Sequence, residues 1–142
     1  MKEIKVGYYE NGNVKYEIPF ENGKQHGIEK WYYENGNIEY EIPFVKGKRH
    51  GVVKTYYESG NLKCEIPLKN DKKHGVAKGY YENGNIEYET PFKKGKRHGV
   101  VKWYDKNGNV IRKILYENGN LIKETLYENG ELKTGGKNEK TN

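Results

Sequence analysis

Four histidines recur at a fixed interval: His26, His50, His74 and His98 stand 24 residues apart, and a glycine follows each one. Zinc holds imidazole nitrogens at about 2 Å and favours ligands close together in sequence. If each histidine sits in the loop of its own strand pair, neighbouring imidazoles lie roughly 10 Å apart. No single metal reaches two of them. The simpler reading is a loop histidine that fixes a turn by hydrogen bonds, and the weaker one an array of charges titrating near about pH 6.5. Ser59, the only serine, replaces the turn asparagine of the neighbouring copies at the strand ends opposite the histidines, so a Ser/His/Asp triad does not assemble. Cys64 fills the slot held elsewhere by Tyr16, Tyr40 and Tyr88 and reads as a small core residue. It has no second cysteine to pair with, which suits a reducing compartment. Glu39, Glu41, Glu87 and Glu89 put paired carboxylates on one face, with cross-strand lysines as the simplest partners for Glu41 and Glu89. No glycine run precedes a helix N-terminus, so no phosphate cradle forms. No catalytic, cofactor-binding or metal-binding residue is assigned, and the chain reads as a non-enzyme without a cofactor.

The elements that position these residues are repeats. Gly12, Gly36, Gly60, Gly84 and Gly108 keep the 24-residue step, as do Pro19, Pro43, Pro67 and Pro91. The unit reads approximately V-x-K-x-Y-Y-E-N-G-N-I-E-Y-E-I-P-F-x-x-G-K-R-H-G, and five copies occupy residues 4 to about 112. After Gly108 the step shortens to 11, through Gly119 and Gly130. The sequence therefore predicts one repeat domain over residues 1–134, with capping hairpins over 109–134 and a disordered polar tail over 135–142.

Asn-Gly flanked by alternating residues predicts a hairpin with a two-residue type I′ turn, which needs φ > 0 at both central positions. With Asn35-Gly36 as that turn, Tyr33 opposes Ile38, Trp31 opposes Tyr40 and Lys30 opposes Glu41. The same register sets Lys54 against Glu65 and Lys78 against Glu89, while Lys102 meets Lys113. Alternation collects Trp31, Tyr33, Ile38, Tyr40, Ile42 and Phe44 on a core face. Lys30, Tyr32, Glu39, Glu41 and Pro43 fall on the other face, and the directions of Val52 and Val53 stay open. The fold class is all-β: an antiparallel meander of tandem 24-residue hairpins, about twelve strands, each unit stabilised by its neighbours.

Composition weighs on both sides of this reading. Among 142 residues only 33% are hydrophobic, 32% are charged and mean hydropathy is −1.15, which leans toward disorder. Fourteen tyrosines offset it, because large polar-tipped rings build a core that such scales undercount. The net charge of +6 resolves into two rails. Lys48-Arg49, Lys72-Lys73 and Lys96-Arg97 line the loop edge, and Glu10, Glu34, Glu58 and Glu82 the turn edge. The basic residues are candidate contacts for phosphates, acidic lipid headgroups or an acidic protein. Tyr8, Tyr32, Tyr56, Tyr80 and Tyr104 form a second candidate row, either covering lysine stems or offering a stripe to a bound strand. Glutamates on that face rank nucleic acid below protein. Strands of seven or eight residues fall short of the 9–11 that cross a bilayer as a barrel, and the N-terminal segment lacks the apolar stretch of a signal peptide. The expected location is cytoplasmic.

Y-Y-E-N-G-N-[IL] followed by a G-K-x-H-G loop resembles the MORN (membrane occupation and recognition nexus) repeat. It is closer to the bacterial variant described as toxin–antitoxin repeat or antitoxin-like proteins. The resemblance spans residues 6 to about 132. It implies an elongated, curled antiparallel sheet with a binding or scaffolding role, and it carries over no site residue. The expected partner is a protein, a toxin in the antitoxin-like case, bound by the aromatic face or an edge strand. Acidic membrane lipid is the alternative, followed by a structural spacer or fragment of a longer array that self-associates through its edge strands.

Overall fold

Period-two alternation broken by Asn and Gly at regular intervals leaves the backbone one economical solution, strands that fold back on the strand before them. A computed structural model describes residues 1–128 and 130–133 and contains no helix among them. The expected tail, 135–142, lies outside the described residues, as do Asn129 and Thr134. The chain divides into two units, Met1–Lys72 and Lys73–Asn142. The first holds β1 (Lys2–Tyr8), β2 (Val14–Glu21), β3 (Lys24–Gln25), β4 (Gly27–Tyr32), β5 (Ile38–Val45), β6 (Lys48–Arg49), β7 (Gly51–Tyr56) and β8 (Leu62–Lys69). Its antiparallel order is β1-β2-β4-β5-β7-β8, with β3 and β6 paired to the ends of β2 and β5. Across the unit boundary comes β9 (Lys72–Lys73). The second unit continues with β10 (Gly75–Tyr80), β11 (Ile86–Lys93), β12 (Lys96–Arg97), β13 (Gly99–Tyr104), β14 (Val110–Glu117), β15 (Asn120–Glu128) and β16 (Glu131–Leu132). Its order is β10-β11-β13-β14-β15-β16, with β12 on β11. The meander is as the repeat predicts. The two-residue strands are added where His26, His50, His74 and His98 interrupt a longer strand.

The charge register holds, but not for the expected reason. Lys30 opposes Glu41, Lys54 opposes Glu65, Lys78 opposes Glu89 and Lys102 opposes Lys113. The Asn-Gly connection is not a type I′ turn: only Gly36 has positive φ (95°), and Asn35 does not. The Gly36 N–H donates to the Tyr33 carbonyl at 3.0 Å and the Tyr33 N–H to the Asn37 carbonyl at 2.8 Å. This is a three-residue loop, a type I turn closed by a left-handed glycine. Tyr32, not Tyr33, therefore faces Ile38, and a bulge then restores Trp31 to Tyr40. The two irregularities cancel.

Type I′ turns occupy the opposite strand ends. Lys46 and Gly47 have φ of 48° and 86°, Asn22 and Gly23 of 52° and 79°, Asn118 and Gly119 of 48° and 85°. Val45 pairs with Lys48 across the first of these, so the loop that carries Lys48-Arg49 and His50 is a tight hairpin followed by a break at histidine. Gly51 follows that break because the Pro43 ring presses on it: a Cβ there would lie 3.0 Å from the Pro43 Cγ, at a φ of 119°.

Apolar packing is thin. No large side chain among the described residues is fully buried. Val101, Ile114 and Tyr116 form a small cluster with Trp103 in the second unit. In the first, Trp31 lies between Tyr16 and Tyr40, with ring centroids 4.9 and 5.8 Å away. Val53, paired with Ile66, is half-buried, whereas Val52, paired with Pro67, is exposed.

Candidate functional site

Adjacent repeats are joined by polar bonds that each tyrosine pair makes in opposite directions. The second tyrosine reaches forward, so that Tyr9, Tyr33 and Tyr81 hydroxyls donate to the carbonyls of Tyr32, Tyr56 and Tyr104. The first reaches back, with Tyr32, Tyr56 and Tyr104 hydroxyls donating to the carboxylates of Glu17, Glu41 and Glu89. Partial burial, then the hydrogen bond to the glutamate and its negative charge, pushes the pKa of Tyr32, Tyr56 and Tyr104 up to about 12. Asn35 and Asn37 amides both donate to the Glu58 carbonyl, tying one turn to the next, and Asn11 and Asn13 do the same to Glu34.

Two expectations for this face are corrected. Glu41 and Glu89 close no ion pair with the lysines opposite them, because the phenol of the following repeat takes the carboxylate, at 2.6 Å for Tyr56 and Glu41. Glu39 does not share the face of Glu41. The bulge beside it turns its charge toward Tyr9, Tyr33 and Tyr40, whose pKa values burial raises first and Glu39 raises further.

What remains on the Lys30 face of the first unit is a row of alternating charge. Across the strands Glu17 stands opposite Lys30, Lys30 opposite Glu41, Glu41 opposite Lys54 and Lys54 opposite Glu65. Beside it runs a row that sequence reasoning missed. Ile4, Ile28 and Val52 oppose Pro19, Pro43 and Pro67, and are 65%, 48% and 41% exposed. Val76 and Val100 hold the same positions in the second unit, opposite Pro91 and Leu115, and are also exposed. The signal was available, since the register that sets Lys30 against Glu41 also sets Ile28 against Pro43. Between the two rows lie shallow depressions of about 400 and 320 Å³. Ile28, Pro43 and Val52 wall the larger opposite Glu41, Lys54 and Glu65, and Ile4, Pro19 and Ile28 wall the smaller opposite Glu17 and Lys30. An apolar wall facing a charged one, repeated every two strands, suits a polypeptide better than a small molecule.

The residues expected to bind fall into two groups. Tyr32, Tyr56, Tyr80 and Tyr104 are half-buried, and Tyr8 is 64% exposed. Lys48, Lys72 and Lys96 point to solvent on the short strands β6, β9 and β12. Their neighbours are engaged within the fold. The Arg49 backbone N–H donates to Asp71 Oδ1 at 2.8 Å and its guanidinium lies 3.4 Å from the same oxygen. These bonds, the backbone one first, hold the Asp71 carboxyl below its usual pKa. The Arg97 guanidinium stacks 4.1 Å above Tyr116 and the Lys73 ammonium 5.0 Å above Phe92.

Histidine acts as a turn anchor, although the turn belongs to the next copy. His26 Nδ1 accepts the Lys46 N–H and His98 Nδ1 the Asn118 N–H, each at 3.2 Å. Cys64 sits 2.8 Å from the Thr55 hydroxyl and Ser59 accepts the Asn61 N–H in its turn.

Six stretches, residues 5–22, 25–46, 49–70, 73–94, 97–118 and 111–129, match the model of the MORN repeat variant, and the chain belongs to that family. Each complete stretch runs from one type I′ turn into the next, so the family unit is the hairpin between them. The last two matches cover much of the segment read as capping hairpins. No curated protein matches the sequence. The family is not a known enzyme family, and its repeats serve as protein- and lipid-interaction modules. No helix among the described residues is long and apolar enough to cross a membrane.

Proposed function

We propose that this chain is a non-enzymatic module that binds another protein across the face carrying Ile4, Ile28 and Val52, in an antitoxin-like or scaffolding role. The observation that supports this reading is the exposed aliphatic row running beside a row of alternating charge. Apolar surface at repeated, equivalent positions is costly to leave in water and gains free energy when a partner covers it. Successive depressions stand two strands apart, roughly 9.6 Å. Three residues of a polyproline II segment span about 9.3 Å, so an extended stretch of the partner crossing the strands would meet them in step. The test is affinity capture from the native cell with the natural chain and with Ile28→Asp and Val52→Asp. Both side chains are exposed, so these variants should fold, and a genuine partner should be lost from both while persisting on the natural chain in raised salt. Capture that neither substitution changes would refute this surface. Co-expression with the product of a neighbouring reading frame that arrests growth tests the antitoxin role, the expected result being restored growth.

Attachment to acidic lipid is the second reading, supported by the exposure of Lys48, Lys72 and Lys96. It expects co-sedimentation with phosphatidylserine vesicles that added salt abolishes.

A further inference from the structure

Glu29 shares a repeat position with Val53, Ala77 and Val101, on the face that carries Trp31 and Tyr40. The fold accepts an apolar side chain there, so the half-buried carboxylate is a departure that the hairpin does not require. It is held in one orientation all the same. Trp31 Nε1 donates to Glu29 Oε2 at 2.7 Å and Gln25 Nε2 to Oε1 at 2.8 Å. Both donors are neutral, and among the described residues no cation lies within ion-pair reach of this carboxylate. Lys5, at the same position one copy earlier, sets its ammonium 5.0 Å above Phe20 instead. A carboxylate offers about four lone-pair sites, and two are taken.

The rings beside it are also open to a cation. Trp31 and Tyr40 stack with centroids 5.8 Å apart and 26° between their planes. Lys15 and Lys63 stand over Tyr9 and Tyr57, at 5.7 and 5.5 Å, but no described cation stands over Trp31 or Tyr40. Burial first, then the charges of Glu39 and Glu29, raises the pKa of Tyr40, so the field of both carboxylates reaches this ring.

The second unit fills the matching place with a cation of its own. Trp103 opposes Arg112 there as Trp31 opposes Tyr40, and Arg112 Nε donates to the carboxylate of Glu124. Glu124 in turn lies across from Ile114, as Glu29 does from Ile42. Indole, guanidinium and carboxylate thus come together on this face in the second unit. The first unit supplies the indole and the carboxylate only.

We propose that Glu29, Trp31 and Tyr40 form a binding site for an arginine side chain of a partner polypeptide. A guanidinium is planar and weakly hydrated, so it stacks on a ring while its fork of N–H donors meets the open lone pairs of the carboxylate. An ammonium does one or the other less well. The site lies on the opposite face of β4 from Ile28 and is independent of the surface that carries it.

The experiment follows the indole N–H resonance of Trp31, identified by its loss in Trp31→Phe, in the intact chain. The probes are acetyl-Ala-Arg-Ala-amide, its lysine counterpart and its citrulline counterpart, which is neutral and has the shape of arginine. The arginine peptide should give a saturable shift, and the citrulline peptide should bind about tenfold more weakly or worse, as the loss of a charge-assisted hydrogen bond requires. Glu29→Gln keeps an oxygen for the indole and should weaken the arginine peptide to the same extent. Val53, in the same position, shows that the fold does not need the charge. Absence of a saturable shift, a citrulline response equal to that of arginine, or an arginine response that survives Glu29→Gln overturns the site. A lysine peptide that binds as tightly as the arginine one overturns its assignment to a guanidinium.

Discussion

Replacing Gly79 by alanine would set a methyl carbon 2.1 Å from Cε2 and 2.5 Å from Cζ of Tyr88, the residue directly across the strand pair. Gly79 has an ordinary strand backbone without positive φ and is buried, so the added volume, not the dihedral, decides the outcome. The Tyr88 ring must move by more than an ångström to restore van der Waals contact, and the Trp103 ring, 5.1 Å from it centroid to centroid, restricts where it goes. Overpacking of this kind costs about 1–3 kcal/mol. Removing glycine's unfolded-state freedom returns about 0.4–1 kcal/mol. The midpoints of the two ranges leave a net loss of about 1.3 kcal/mol. Urea unfolding read by tryptophan fluorescence measures it, in a Trp31→Phe background so that Trp103 reports alone. The same positions in the preceding copy hold the small pair Thr55 and Cys64, which suggests the rescue. With Tyr88→Val, the Gly79→Ala change should cost little, leaving a coupling energy of at least about 1 kcal/mol. A neutral or stabilising Gly79→Ala, or strictly additive effects in the double variant, would refute the packing argument.

Tyr33→Phe removes the hydroxyl that bonds the Tyr56 carbonyl at 2.7 Å and should cost about 1 kcal/mol in urea unfolding, whereas Tyr8→Phe, at a side chain 64% exposed, should cost almost nothing. The folded pKa of Tyr32, Tyr56 and Tyr104, about 12, lies above the ordinary 10.0. These groups therefore favour the fold fully below pH 10.0, and their contribution is lost as pH rises through about 12. Thermal melts across that window should show Tm falling with pH, less steeply after Tyr32→Phe and Tyr56→Phe. Lys46 and Lys94 occupy left-handed turn positions, at φ of 48° and 52°, that Asn22, Asn70 and Asn118 fill in the other copies. Lys46→Asn and Lys94→Asn should each stabilise by about 0.5 kcal/mol in the same urea assay.

Much of this arrangement was legible in the residues. The 24-residue spacing of glycine, proline and histidine named the hairpin unit, and the pairing of Lys30 with Glu41 followed from counting alone. The turn chemistry was misread because a two-residue turn and a three-residue turn followed by a bulge bring Trp31 to Tyr40 equally well. Asn-Gly suits both, and only the sign of φ at Asn35 separates them. The true type I′ turns are Asn-Gly at Asn22-Gly23 and Asn118-Gly119, but Lys46-Gly47, Asn70-Asp71 and Lys94-Gly95 carry a weaker signal at the same place in the other copies. Ile28 follows the alternation of Lys30, but one aliphatic residue per strand among charges becomes a surface only when neighbouring strands set Ile4, Ile28 and Val52 in a row.

By itself the sequence determined the period, the strand order within each unit and the oppositions away from the Asn-Gly turn, such as Lys30 with Glu41, since these depend on local alternation copied at constant spacing. The tertiary structure alone decided which hydroxyl meets which carboxylate, where Glu39 points, and that Ile28 and Val52 stand exposed. Each of those depends on a bulge or on atoms that a neighbouring repeat contributes. A pattern repeated along the chain does not record how far the side chains of one copy reach into the next.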